Sequence, residues 1–153
     1  MRLLFLMFIT FTLFSGCDSK PKGAVAKMHW DRDMCERCKM AISERKFAVE
    51  AINLKNGKVY KFDDLGCMVL WLKEQNISLD NNIKVWITDA KSGKWIDAKK
   101  AIYTDDSITP MAYGFAAYTK ESVPKNHHTL NFNEAVKKVF EIEKLNTQKV
   151  KSQ

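Results

Sequence analysis

The sequence predicts an α+β domain with a largely antiparallel sheet. Two strand-like runs flank the dipeptide Asn56-Gly57, which is the strongest short signal for a β-hairpin. A segment with the apolar periodicity of a helix follows this hairpin, and a looser hairpin-then-helix order recurs in the second half of the chain. Strands grouped before helices are typical of α+β domains, whereas regular alternation of strand and helix would indicate a parallel sheet.

The first half of the chain holds a predicted hairpin and a predicted helix. Alternating apolar residues indicate a strand over 47–51, residues 59–62 form its partner, and Asn56-Gly57 predicts a type I′ turn between them. The pair Asp63-Asp64 offers an N-cap for a helix over 65–75. The apolar face of that helix consists of Leu65, Met68, Val69 and Leu72.

The second half contains further strands and a second helix. Its predicted strands are 83–88, 95–97, 101–103 and 114–119. Asn131 and Glu134 have the spacing of a capping box, which predicts a helix over 135–145. The lysine-rich residues after this helix are expected to be solvated.

Length and composition indicate one globular domain. The chain has 153 residues, of which 46% are hydrophobic and 28% charged, and this excludes a disordered or collagen-like protein. The formal net charge of +7 favours an anionic membrane surface or an acidic partner. Nucleic acid is not expected as a partner, because the chain has no cluster of interleaved basic and aromatic residues.

Residues 1–16 have the features of a secretory signal peptide. Arg2 precedes an apolar run over 3–14, which is too short for the roughly 20 residues that cross a bilayer. Two small residues then stand directly before Cys17, as in the lipobox of bacterial lipoproteins. We therefore expect lipid on Cys17 and a protein that faces the periplasm, and Asp18 favours the inner membrane. An ordinary cleaved signal with an incidental cysteine is the alternative.

The remaining cysteines are Cys35, Cys38 and Cys67, an odd number for an oxidising compartment. Two cysteines spaced by two residues, as in 35–38, can bring both sulfurs to one metal ion. A structural zinc site would need further ligands from Cys67, His29, His127 or His128. A plain disulfide between Cys35 and Cys38 is another alternative. A thioredoxin-like role is disfavoured, because the motif precedes a hairpin and does not start a helix.

Methionines next to this motif favour copper over zinc. Met34 precedes the motif and Met40 follows it, and thioether sulfur is a good ligand for Cu(I) but a poor one for zinc. Met111 is a further candidate, because it lies in a predicted loop. Packing in the core is the alternative for Met40 and Met111, and it is the interpretation that we give to Cys67 and Met68. The predicted Cu(I) ligands are Cys35, Cys38, Met40 and Met111.

Residues 28–135 resemble the NosL family of lipoproteins. The resemblance is carried by the lipobox, by Cys35-x-x-Cys38-x-Met40 and by Phe62-Asp63-Asp64 leading into a helix. It continues in Trp95-x-Asp97-Ala98-x-x-Ala101-x-Tyr103 and in Pro110-Met111. Members of the family usually have glycine where this chain has Lys39.

The resemblance implies both a fold and a function. The implied fold is a pair of ββαβ units, similar to that of organomercurial lyase. The implied function is that of a non-enzymatic Cu(I) chaperone whose partner is a client cuproenzyme, nitrous oxide reductase, or its assembly complex. Two other hypotheses stay open: a periplasmic thiol–disulfide protein that uses Cys35 and Cys38, and a structural lipoprotein in which these two residues form a disulfide.

These interpretations divide the chain into four segments. They are a signal peptide (1–16), a lipidated polar tether (17–28), a globular copper-binding domain (29–145) and a flexible polar tail (146–153).

Overall fold

The computed structural model describes residues 21–152. The predicted signal peptide (1–16) and the predicted anchor Cys17 lie outside the described residues. The chain forms β1 (Val49–Asn53), β2 (Val59–Phe62), α1 (Leu65–Glu74), β3 (Ile83–Thr88), β4 (Trp95–Asp97), a 3-10 helix (Ala98–Lys100), β5 (Ile102–Thr104), β6 (Ala116–Tyr118) and α2 (Phe132–Lys151).

The larger sheet has four strands in the order β2-β1-β3-β4, and each neighbouring pair is antiparallel. Val49, at the start of β1, lies opposite Phe62 of β2 and Ile87 of β3. Strands β1 and β2, helix α1 and strand β3 together form one ββαβ unit. The predicted α+β class with an antiparallel sheet is therefore confirmed.

The second half of the chain repeats the order of strands followed by a helix. Strands β5 and β6 form an antiparallel pair, and α2 follows them. Single bridges join Tyr103 to Leu130 and Asp89 to Ala117, so this pair is tied both to the segment before α2 and to the end of β3.

The turn between β1 and β2 differs from the predicted type I′ turn. Such a turn needs a positive φ at both Asn56 and Gly57, but of these two residues only Gly57 has one, at 74°. The Asn53 N–H donates to the Lys58 carbonyl, which leaves a four-residue loop over 54–57. The hairpin is present as predicted: β2 has the predicted bounds, whereas β1 starts two residues later than the predicted residue 47.

Helix α1 begins where the sequence predicted, because Asp64 caps it. The Asp64 Oδ1 accepts a hydrogen bond of 2.9 Å from the Cys67 N–H. Gly66, in the first turn, faces the ring of Tyr113, and a Cβ added there would lie 2.1–2.7 Å from ring atoms. The close approach of this ring therefore requires glycine at position 66.

Helix α2 continues six residues beyond its predicted end at residue 145. Its N-terminus has the predicted capping box of Asn131 and Glu134. No glycine or proline follows residue 145, and the Lys and Gln residues there are good helix formers. Residues 144–152 are exposed, which confirms that the tail is solvated. Its helical backbone was not predicted. Its flexibility stays a prediction.

The second half of the predicted tether packs against the sheet. The Trp86 Nε1–H donates to the Gly23 carbonyl at 2.8 Å, and the Ala26 N–H donates to Glu50 Oε2 at 2.9 Å. Met28 is buried in the core. The folded domain thus begins near Gly23, earlier than the predicted residue 29, because sheet side chains satisfy the backbone of this segment.

No helix among residues 21–152 combines the length and the apolarity needed to cross a bilayer.

One hydrophobic core joins both sheets and both helices. Fully buried side chains come from β2, α1, β3, β5 and α2. Examples are Phe62, Leu65, Val85, Tyr103 and Val139. Burial of this kind is the main source of folding free energy and does not depend on a metal ion.

We therefore predict that the reduced, metal-free protein is folded. Far-ultraviolet circular dichroism in the presence of a chelator should show helix and sheet, and denaturant unfolding should be cooperative, because the core supplies the stability. A metal-loaded sample serves as the control. A random-coil spectrum that recovers only when metal is added would contradict this prediction.

Candidate metal centre

The Cys-x-x-Cys motif lies in a tight loop that is fastened to the end of β2. The Cys35 N–H donates to the Met40 carbonyl at 2.8 Å, and the Lys39 N–H donates to the Cys35 carbonyl at 3.0 Å. The Glu36 N–H donates to the Lys61 carbonyl on β2 at 2.9 Å. The loop therefore holds its cysteines directly beside the point where β2 leads into α1.

Four side chains meet at this point: Cys35, Cys38, Asp63 and Cys67. One ligand atom from each, a sulfur or a carboxylate oxygen, lies within 4.8 Å of all the others. The loop supplies Cys35 and Cys38, the residue after β2 is Asp63, and the first turn of α1 supplies Cys67. We call these four residues the thiol cluster. All three cysteines of the described chain are free thiols.

The thiol cluster is buried except at one member. Cys35 and Cys67 have no exposed surface and Asp63 is 2% exposed, whereas Cys38 is partly exposed. The Cys38 thiol donates to Asp63 Oδ2 at 3.3 Å. The other oxygen, Asp63 Oδ1, is buried and has no hydrogen-bond partner among residues 21–152. A buried oxygen without a partner is costly, and a bound cation would relieve that cost.

The three thiols titrate very differently. A hydrogen bond from Cys67 and backbone N–H groups of Cys38 and Asp63 outweigh burial and lower the pKa of Cys35 to about 6. Burial, together with the charge on Cys35, raises the pKa of Cys38 to about 12. The hydrogen bond to Cys35 and burial also raise the pKa of Cys67. At neutral pH the cluster therefore carries one thiolate, at Cys35, which can accept a soft cation.

Cys67 and Asp63 were not among the ligands predicted from sequence. Cys67 was interpreted as core and was named as a ligand only for the zinc alternative; it is indeed buried, but its sulfur also belongs to the cluster. Asp63 was considered only as an N-cap. The available signal was their position at a strand-to-helix junction, with Asp63 directly after β2 and Cys67 in the first turn of α1.

The structure places Met40 and Met111 near the cluster in different ways. Met40 is bonded to Cys35 through its backbone, and its side chain is 46% exposed. The Met111 N–H donates to Asp64 Oδ2 at 3.2 Å, which brings this residue next to the cap of α1. The roles of Met40 and Met111 as copper ligands stay predictions.

The three histidines do not belong to the thiol cluster. Within the described chain, His29 lies beside Asp33, His127 beside Asp106 and His128 beside Asp105. A zinc site completed by histidine, one of the alternatives left open by the sequence, has no support from this arrangement.

Arg37, between the two cysteines of the motif, ties the loop to both helices. Its guanidinium donates to Glu74 on α1 at 2.9 Å, to Glu143 on α2 at 3.1 Å and to the Tyr113 hydroxyl at 3.2 Å. The Tyr113 hydroxyl in turn donates to Glu143 at 2.8 Å. The planar fork of arginine suits such shared contacts.

We predict that Cys35 ionises first when the reduced protein is titrated. The ultraviolet absorbance of thiolate should rise with a midpoint near pH 6, because Cys67 and backbone N–H groups stabilise the Cys35 anion. The variant Cys67→Ala removes the main donor and should move this midpoint upward. In Cys35→Ser the step should be absent. A parent protein whose first thiolate appears only near the ordinary thiol pKa of about 8.5 would contradict the assignment.

We predict that Lys39→Gly stabilises the motif loop. Lys39 has a φ of 60°, a left-handed conformation that costs residues with a Cβ more than it costs glycine. The free energy of unfolding should rise by about 0.5–1 kcal/mol. It can be measured by denaturant titration. As a control, Lys46→Gly at a turn position without positive φ should lower it, and equal effects of both changes would refute the argument.

Comparisons with known proteins agree with this architecture. The sequence model of the NosL family matches residues 27–128. Among solved structures, the crystal structure of the copper chaperone NosL from Shewanella denitrificans aligns with a TM-score of 0.57 and 17% identity, over 75% of this chain and 96% of that chain. No curated protein sequence is detectably similar to the chain. Because the family's sequence model covers most of the residues, the chain belongs to the NosL family.

Proposed function

We propose that this protein is a copper chaperone that binds Cu(I) at the thiol cluster and passes it to a client metalloenzyme. The observation that carries the proposal is the convergence of three free thiols and one carboxylate within 4.8 Å. Membership of the NosL family and a fold shared with a copper chaperone support it. The protein acts as a carrier and not as an enzyme.

The chemistry of the cluster favours Cu(I). Thiolate and thioether sulfur are soft ligands, and Cu(I) is a soft monovalent ion that accepts few of them. Zinc prefers four ligands, so it would need Asp63 as well as all three thiols. Cys35 and Cys38, with Met40 and Met111 as thioether donors, remain the ligands proposed from sequence, and the structure adds Cys67 as a third thiol.

The burial of the cluster suggests a route for transfer. Cys38 is its partly exposed thiol, and Met34 and Met40, which lie on either side of it in the sequence, have exposed side chains. A ligand of the client can therefore replace Cys38 first, while the buried sulfurs of Cys35 and Cys67 still hold the ion. Stepwise replacement of this kind avoids release of free copper.

The client and the location follow from the family resemblance and the signal sequence. We infer that the protein is lipid-anchored through Cys17 at a bacterial membrane, inner rather than outer, and faces the periplasm. The client is a cuproenzyme, nitrous oxide reductase, or its assembly complex.

Detection of an acyl chain on Cys17 by mass spectrometry of the mature protein would support the anchor, and a mature chain starting elsewhere would refute it.

The lowered pKa of Cys35 favours one competing function, that of a thiol–disulfide protein. Such a protein needs its reactive sulfur to reach a substrate disulfide. Cys35 has no exposed surface, so its sulfur cannot make that attack in this conformation. Copper transport requires only that the ion reach the buried sulfurs by way of Cys38.

We predict a graded loss of Cu(I) affinity across ligand variants, measured anaerobically by competition with a chromophoric chelator. Cys35→Ser, Cys38→Ser and Cys67→Ser each replace a soft donor by a hard one and should lower affinity by on the order of 100-fold. Met40→Leu and Met111→Leu keep the apolar volume but delete the sulfur. Each should lower affinity by about tenfold.

Stability of the metal-free variants separates a ligand role from a packing role. Both Met→Leu variants should unfold at the same temperature as the parent, and Met68→Leu, at a buried position outside the cluster, should leave affinity unchanged. Parent-like affinity in Met111→Leu would remove that residue from the site. Tighter binding of zinc than of Cu(I) by the parent, or parent-like affinity in Cys38→Ser and Cys67→Ser, would refute the copper assignment.

A further inference from the structure

The N-terminal segment joins the fold at the end of the larger sheet that lies away from the thiol cluster. Gly23 packs against Leu54, which follows β1, and against Lys84 near the start of β3: a Cβ on Gly23 would lie 2.8 Å from the Leu54 side chain and 3.7 Å from that of Lys84. The Trp86 indole N–H fixes the Gly23 carbonyl from β3. We call this region, with the adjoining loops 54–58 and 80–82, the tether end.

The thiol cluster lies at the opposite end of the same strands. Asp63 follows Phe62, and Phe62 is paired with Val49 at the start of β1. Strand β1 then runs from Val49 toward Leu54 at the tether end. Five residue steps at about 3.4 Å each separate the two ends by roughly 17 Å.

Four exposed lysines lie at the tether end. Lys55 and Lys58 lie in the loop that joins β1 and β2, and Lys22 is adjacent to Gly23. The Lys99 ammonium donates to the Asp80 carbonyl at 2.8 Å. Hydrogen bonds from Asn82, followed by the charges of Lys55 and Lys99, lower the pKa of Asp80, so both lysines surround this acid.

The positive charge at this end exceeds the negative charge. Lys84 is paired with Asp97 at 2.6 Å, so these two charges cancel. Asp80 lies beside Lys55 and Lys99 and offsets part of the charge of the four exposed lysines Lys22, Lys55, Lys58 and Lys99. A surface of this kind is attracted to anionic lipid headgroups.

The length of chain before Gly23 keeps this end near the lipid. Six residue steps separate Cys17 from Gly23, and an extended chain spans at most about 3.6 Å per step, or roughly 20 Å. This distance is comparable with the length of the sheet. The anchor therefore keeps the tether end within about 20 Å of the lipid but does not by itself fix the orientation. The exposed lysines of the tether end favour contact of that end with anionic headgroups.

We propose that the tether end rests on an anionic phospholipid bilayer through Lys22, Lys55, Lys58 and Lys99, so that the thiol cluster faces away from the membrane. The proposal rests on the lipid anchor of the proposed function. In this orientation the partly exposed Cys38 is open to a client on the periplasmic side, and the lipid surface does not cover it.

Vesicle binding tests the proposal without the lipid anchor. The mature chain without the signal peptide (residues 17–153), carrying Cys17→Ala, is mixed with phosphatidylcholine vesicles that do or do not contain phosphatidylglycerol, and bound protein is measured by sedimentation. We expect binding only to the anionic vesicles, weakened by salt. The triple variant Lys55→Glu, Lys58→Glu, Lys99→Glu should bind at least about 100-fold more weakly.

A matched variant controls for net charge. Lys46→Glu, Lys91→Glu, Lys120→Glu makes the same charge change at exposed positions. Lys46 and Lys91 lie near the cluster end, before β1 and after β3 respectively, and Lys120 follows Thr119, which is bonded to Asp89 after β3. The affinity of this control variant for anionic vesicles should be within about threefold of that of the parent, because the three lysines that it changes do not face the bilayer. Equal losses in the two triple variants, or equal binding to neutral vesicles, would overturn the proposal.

Hydrogen exchange of the lipidated protein on anionic vesicles gives the orientation directly. Amides of 54–58 and 80–82 should exchange more slowly than in solution, while those of 35–40 should be unchanged. Protection confined to 35–40 would overturn the proposal. Both triple variants should bind Cu(I) in solution with the affinity of the parent. Failure of the parent to bind copper would refute the proposed function, whereas the orientation is decided by the vesicle experiments alone.

Discussion

The carboxylate of Asp64 fixes the geometry on which the candidate site depends. One oxygen accepts the Cys67 N–H and so caps α1, whose first turn carries the third thiol. The other accepts the Thr109 hydroxyl and the Met111 N–H, which holds the 105–114 loop against the same helical turn. Burial raises the pKa of Asp64, and these donors oppose that effect by stabilising its charge. A single side chain thereby joins the first turn of α1 to the 105–114 loop beside the sulfurs.

Much of the fold could be predicted because local signals agreed with tertiary packing. The pair Asp63-Asp64 before an apolar helical stripe located the start of α1, and the strand over 83–88 has the predicted bounds. The capping box of α2 was also visible in sequence. Its C-terminal end was not, since an exposed helix ends through a balance of weak propensities without a breaker residue.

The candidate site was only half visible. Cys35 and Cys38 share a short motif, so their proximity follows from spacing. Cys67 is far along the chain, and its apolar neighbours made a core role the simpler interpretation. Long-range contacts of the motif loop bring the three sulfurs together: the Glu36 N–H bonds the Lys61 carbonyl of β2, and Arg37 bonds Glu74 of α1. The hydrogen bond from the Trp86 indole to the Gly23 carbonyl likewise joins residues far apart in the chain, and no local sequence pattern predicts it.

The contacts of Arg37 have a consequence for the thermodynamics of metal capture. Because its guanidinium is held by Glu74, Glu143 and Tyr113, the backbone between the two cysteines loses its conformational freedom when the protein folds. An incoming ion therefore meets preorganised donors and bears little of the entropic cost of ordering them. Because these contacts do not depend on the ion, the loop should keep the same conformation after the ion has been transferred, and a new ion can bind without reordering it.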